Sequence, residues 1–163
     1  MGHRELLLVL GAITLFGLTR LSTNRYMVGQ NDAVWRREFE TYALSLAESY
    51  IEEARAKAFF DETLNGGAPA VPAGFTDPDA LGPDGELYPN FNDVDDFNGF
   101  ATVDSTKRAN FEVSIQADYV EDTAPTVMVN YETRFKNMTV TVTHNSFVNV
   151  SFQLGYLFGY TSN

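Results

Sequence analysis

With 11 basic against 22 acidic residues in 163, the chain carries a net charge of −11, which excludes the basic surface that a nucleic-acid partner would demand. It has no cysteine, so disulfide frameworks, thiolate metal sites and thiol nucleophiles are excluded as well. Its length allows one ordinary domain with an appended helix but not two full cores.

The amino end is the most distinctive segment. From Leu6 to Thr19 no residue is charged, and those residues as a helix cover about 21 Å, somewhat less than a bilayer core of about 30 Å. Arg4 and Arg20 flank the stretch and lengthen it by snorkelling. A cleaved secretory signal is the rival reading, but no small-x-small site closes the run, so a retained anchor over residues 1–28 is the expectation. Glu5 stands at the start of this apolar stretch. A carboxylate there is costly in lipid unless it faces a partner charge, which points to assembly before catalysis.

Helical character continues beyond the anchor. Ala43, Ala47, Tyr50, Ala54 and Ala58 recur at steps of three and four, with Leu46 and Ile51 alongside and charged residues on the other faces. An amphipathic helix is expected over 32–64 with Asn65-Gly66-Gly67 as its stop, and either a break near Gly29 with Asn31-Asp32 as a fresh cap or one extended helical arm from the terminus. Trp35, Tyr42 and Tyr50 are assigned to the interface between this helix and a sheet.

Residues 61–100 hold 9 acids and no base, so most of the net charge is gathered there. Five of the six prolines fall between residues 65 and 100, which predicts an irregular loop over that span. Phe75, Leu81, Leu87, Tyr88, Phe91, Phe97 and Phe100 are expected to pin it to a surface. Asp93, Asp95, Asp96 and Asn98, beside Gly99, have the oxygen-rich composition of a Ca2+ site, and Asp77, Asp79, Asp84 and Glu86 form a second cluster. Neither has the EF-hand spacing, so the alternative of a solvated loop with local Asx turns stands beside the metal reading.

From residue 101 onward the pattern alternates with period two. Strands are expected at 111–120, 126–135, 138–143 and 147–154, forming an antiparallel sheet covered on one face by the amphipathic helix. The apolar ending Leu154 to Tyr160 is either part of the last strand or a contact patch. The expected fold class is therefore α+β: a long N-terminal helix, apolar then amphipathic, packed on a four-stranded antiparallel sheet within a head spanning 29–163. Two histidines, His3 and His144, are too few for a Ser-His-Asp triad or a histidine metal cluster, so an enzyme is not expected. The sequons at Asn137 and Asn149 are read as chance matches.

This order of parts, an apolar helix with Glu5, an amphipathic continuation, a loop and an antiparallel sheet, resembles the prepilin-derived subunits of type IV pili and the pseudopilins of type II secretion. The segment Phe91-Asn-Asp-Val-Asp-Asp-Phe-Asn-Gly99 is similar to one in minor pilins of the mannose-sensitive haemagglutinin type, and Met138 to Thr143 resembles their late strand. The chain departs from the pattern in having Met rather than Phe at its first position and no proline near residue 22. The expected basic leader is also not visible. The resemblance implies a fimbrial subunit that resides in the inner membrane and is then polymerised by the pilus assembly machinery into an extracellular helical homopolymer, with methylation of the amino end and roles in adhesion or secretion. It also implies that Glu5 pairs with the free amine of Met1 on a neighbouring copy, a pairing that physical chemistry supports in a water-poor bundle. A melt of the helix on assembly would fall between Thr14 and Asn24. The alternatives are a minor pilin or pseudopilin, or a single-pass anchored module that binds Ca2+ or another ligand.

Overall fold

The computed structural model describes residues 2–59, 74–107, 109–144 and 150–161. Among the described residues there are one α-helix, α1 at His3–Arg55, and five strands, β1 Ala101–Ser105, β2 Asn110–Glu121, β3 Ala124–Met128, β4 Phe135–His144 and β5 Ser151–Gly159. The chain divides into two compact units, Met1–Thr41 and Tyr42–Asn163.

In the first unit α1 is uninterrupted. Of the two readings open at Gly29 the continuous arm is the one found, because a lone glycine weakens a helix by only about 1 kcal/mol and no proline is present to remove a backbone donor. The segment His3–Met27 is long and apolar enough to cross a membrane, and none of it is buried; a membrane anchor and a signal sequence share these properties. Glu5 lies in the first turn, where its Oε2 accepts the Gly2 N–H at 3.3 Å, half of a capping box. Within the apolar part of the helix, Thr14 donates back to the Gly11 carbonyl, Thr19 to that of Phe16 and Thr23 to that of Thr19, each at 2.9 Å. Bonds of this kind slightly loosen a helix, and they fall across the span expected to melt. Trp35, assigned from sequence to the helix-to-sheet interface, is 50% exposed.

In the second unit the last turns of α1 bury Ala43, Ala47, Tyr50, Ile51 and Ala54. The alanines leave no accessible surface, and their small side chains allow close approach to the sheet. Tyr42 stacks on Phe111 of β2 at 4.4 Å between ring centroids and donates to Asp104 of β1 at 2.7 Å. Arg55 lies over Tyr156 of β5. The helix ends at Arg55 rather than continuing to 64: Ala56 and Lys57 close tighter bonds to the carbonyls three residues earlier, and Ala58 pairs in parallel with Asp93. The remainder of the expected helix, 60–64, lies outside the described residues, as do Pro69 and Pro72.

The sheet is antiparallel with order β1-β2-β4-β5, and β3 joins β2 beyond a bulge at Val120/Glu121. It has five strands, one more than expected. The sequence reading missed β1, a five-residue strand whose side chains alternate between exposed and half-buried, too little apolar contrast to register as a period. The strand expected at 126–135 is cut short, because β3 ends at Met128 and Thr133 turns the chain by donating to the Val120 carbonyl at 2.7 Å. Pro125 is tolerated there because β3 is short and sits on the outer edge of β2, opposite β4. The apolar ending does form the last strand, since Leu154 to Gly159 belong to β5. Residues 145–149 lie outside the described residues.

Alternation in β2 and β4 supplies the core. Phe111, Val113, Ile115, Ala117 and Tyr119 face inward from β2, and Lys136, Met138, Val140 and Val142 from β4. Their register pairs Val113 with Val142, Ile115 with Val140, Ala117 with Met138 and Tyr119 with Lys136. The last of these pairs places a lysine where an aliphatic residue would be expected.

Candidate functional site

The acidic loop is built inward. After a 3-10 turn at Pro78–Ala80 it runs to a second turn at Asp95–Phe97, in which Asp95, Asp96 and Phe97 are all buried. Phe97 packs edge-on against Phe91, which meets Phe100 in the same manner. These are the aromatic pins expected from the sequence; Leu87, assigned to the same task, is 78% exposed. Asn98 ties the loop to its surroundings, with Nδ2 donating to the Leu81 carbonyl at 3.0 Å and Oδ1 accepting the Ala117 N–H at 3.1 Å. Gly99 follows with φ of 76°, a conformation open to glycine at no steric cost.

The four residues named as cation ligands therefore have protein partners. Asp93 Oδ1 accepts the N–H groups of Asp95 at 2.7 Å and Asp96 at 3.1 Å. Asp96 Oδ2 accepts the N–H of Asn92 at 2.7 Å and that of Asp93 at 3.3 Å. Asp95 Oδ1 is in direct contact with the Lys136 ammonium in a buried ion pair. Among the described residues no group of three or more acidic or histidine side chains converges as a cation site. In the second cluster Asp77 Oδ1 caps the turn by accepting the Asp79 N–H, and Glu86 Oε1 accepts from the Asn92 amide.

Lys136 is the residue that the sequence reading overlooked. It shares strand parity with Met138, Val140 and Val142, so the longer β4 brings it onto the inner face. Its Nζ also donates to the Phe59 carbonyl at 2.9 Å and lies 4.4 Å from the ring centre of Phe59 and 5.0 Å from that of Tyr119. Tyr119 in turn donates to the Thr76 carbonyl at 2.9 Å, so the strand, the loop and the helix exit meet around one amine.

Burial dominates the electrostatics. It pushes the Asp93 carboxyl up to about 7, and the nearby charges of Asp95 and Asp96 add to the rise. Desolvation raises Asp95 while Lys136 pulls it back, and desolvation lowers Lys136 while Asp95 opposes that. The Thr76 side chain hydrogen-bonds the Asp95 carboxyl and helps Lys136 hold it in the charged form, although Oδ2 itself is buried with no partner in hydrogen-bonding geometry among the described residues. Burying two charges with one lone-pair side unsatisfied is unfavourable unless the pair is strongly coupled.

At the other end of the chain, Met1, expected to pair with Glu5 of a neighbouring copy, lies outside the described residues. Asn137 of the first sequon donates to Thr139 Oγ1 at 3.1 Å, and Asn149 of the second lies outside the described residues. Comparison with protein-family models, with curated proteins and with solved structures finds no match.

Proposed function

We propose that this chain is a structural subunit of a type IV pilus-like filament, held by its amino-terminal helix in the inner membrane and polymerised through that helix into an extracellular fibre. The observation that carries the reading is the uninterrupted α1, whose His3–Met27 segment is apolar and exposed while its last turns belong to the core of a β-sheet domain. Leu8 and Leu15 are 75% and 67% exposed, a state stable only in lipid or against other apolar helices. A membrane accommodates one such helix and a filament core accommodates many, so the same segment serves both stages.

The reading assigns Glu5 to axial register. Within a bundle of apolar helices its carboxylate seeks a cation, and the amine of Met1 on an adjacent copy supplies one; among the described residues of one chain it accepts a bond from the Gly2 N–H. Heads then contact one another through heterologous surfaces that do not close, giving a fibre. A subunit that caps or primes such a filament would have the same anatomy. The test is electron microscopy of material sheared from producing cells, comparing the native chain with Glu5→Ala. Filaments that contain the chain and vanish in the variant support the reading. Membrane-bound protein without filaments in both strains overturns it in favour of an anchored binding module.

A further inference from the structure

We propose that Asp95 and Lys136 are joined by a covalent amide bond, formed within the folded chain by condensation of the Lys136 amine with the Asp95 carboxyl group. Three observations lead there, none of which depends on the filament reading. Both side chains are withdrawn from water, Lys136 fully and Asp95 to 3% exposure. Nζ and Oδ1 are in direct contact. Asp95 Oδ2 has no partner in hydrogen-bonding geometry among the described residues, so the ionic form leaves Lys136 and the Thr76 side chain to offset a buried charge.

The surroundings favour the reactive protonation states. An amine attacks a carboxyl carbon only when the amine is neutral and the acid is protonated, and the ionic pair is inert. Desolvation disfavours the charged form of each partner, shifting Lys136 down and Asp95 up, the two directions the reaction requires. Asp93, 3% exposed, is coupled electrostatically to both groups. The aromatic rings of Phe59 and Tyr119 flank the amine.

The step balances without an oxidant or a co-reactant. The Nζ–Cγ bond forms, the Cγ–hydroxyl bond breaks, and the hydroxyl leaves as water with one of the two amine protons. The proton that remains becomes the amide N–H, and the Phe59 carbonyl at 2.9 Å from Nζ is placed to accept it. Two factors favour the product. Fixed contact replaces an encounter, which is worth effective molarities on the order of 10⁵ M or more. The amide also removes two buried charges and one buried oxygen, ending the desolvation penalty of the pair. The bond would tie the acidic loop to β4 across 41 positions of sequence, a staple in a chain without cysteine.

The test is mass spectrometry of the full chain purified in detergent. The intact mass is expected to fall short of the residue sum by one water, and after trypsin the peptide 58–107 should remain joined to 135–163, with Lys136 uncleaved. Asp95→Ala must restore the full mass of its own sequence, with peptide 58–107 released and trypsin cutting after Lys136 to give 135–136 and 137–163, whether or not that variant folds. A wild-type chain of full mass overturns the proposal. So does a water lost elsewhere, such as at Asp84-Gly85, with the Lys136 peptide linear.

Discussion

Replacing Asp93 with asparagine removes one buried charge and keeps its shape. Asp93 Oδ1 accepts the N–H groups of Asp95 at 2.7 Å and Asp96 at 3.1 Å, and an amide oxygen serves both bonds equally. The carboxyl titrates at about 7 in the folded chain against 3.8 when solvated, raised first by burial and then by Asp95 and Asp96, while the Asp96 N–H and Lys136 pull the other way. Because the folded value lies above the unfolded one, the folded state holds the proton more tightly. The stability from this group is complete below about pH 3.8 and is lost as pH rises through about 7. A difference of about three pH units at about 1.4 kcal/mol each sets a ceiling of about 4 kcal/mol, and local relaxation reduces it to about 2–4. Urea unfolding of the full chain in detergent, followed by the near-ultraviolet circular dichroism of its tyrosines, measures the effect. Wild type and Asp93→Asn should have equal stability near pH 4, and by pH 8 the variant should be the more stable by about 2–4 kcal/mol. A stability difference that does not change with pH would refute the assignment of a buried, proton-holding carboxyl at this position.

Ala47→Leu introduces bulk where α1 leaves no accessible surface, and should destabilise the head by about 1–3 kcal/mol in the same urea assay. Asn98→Ala strands the Leu81 carbonyl and the Ala117 N–H at once; a loss of about 2 kcal/mol or more is expected, with faster hydrogen exchange at Ala117 as its local sign. Millimolar Ca2+ against chelator should leave the melting temperature unchanged, because Asp93, Asp95 and Asp96 already direct oxygens to N–H groups and to Lys136. A rise in melting temperature that disappears in Asp96→Asn would show instead that the loop opens to take the cation.

Much of the architecture was legible in the chain because short-range periodicity encodes it. An uncharged run from Leu6 to Thr19 specifies an apolar helix wherever it resides, and the steps of three and four from Ala43 to Ala54 specify which face is covered. Period two over Phe111 to Val120 and over Met138 to Thr143 marked two strands and their inner faces. Lys136 fell between two expected strands, and only the longer β4 brings it onto the inner face. What tertiary structure alone decided was which groups far apart in sequence meet. The helix stops at Arg55 because Ala58 is drawn into pairing with Asp93, an event that no local propensity encodes. β1 exists because β2 offers it an edge. The acidic loop, read by composition as either a solvated loop or a Ca2+ site, is turned inward by Phe91 and Phe97, which bury its carboxylates beside a lysine from β4. Composition records how many charges a segment carries; only the packed fold decides whether water, a metal or a buried amine answers them.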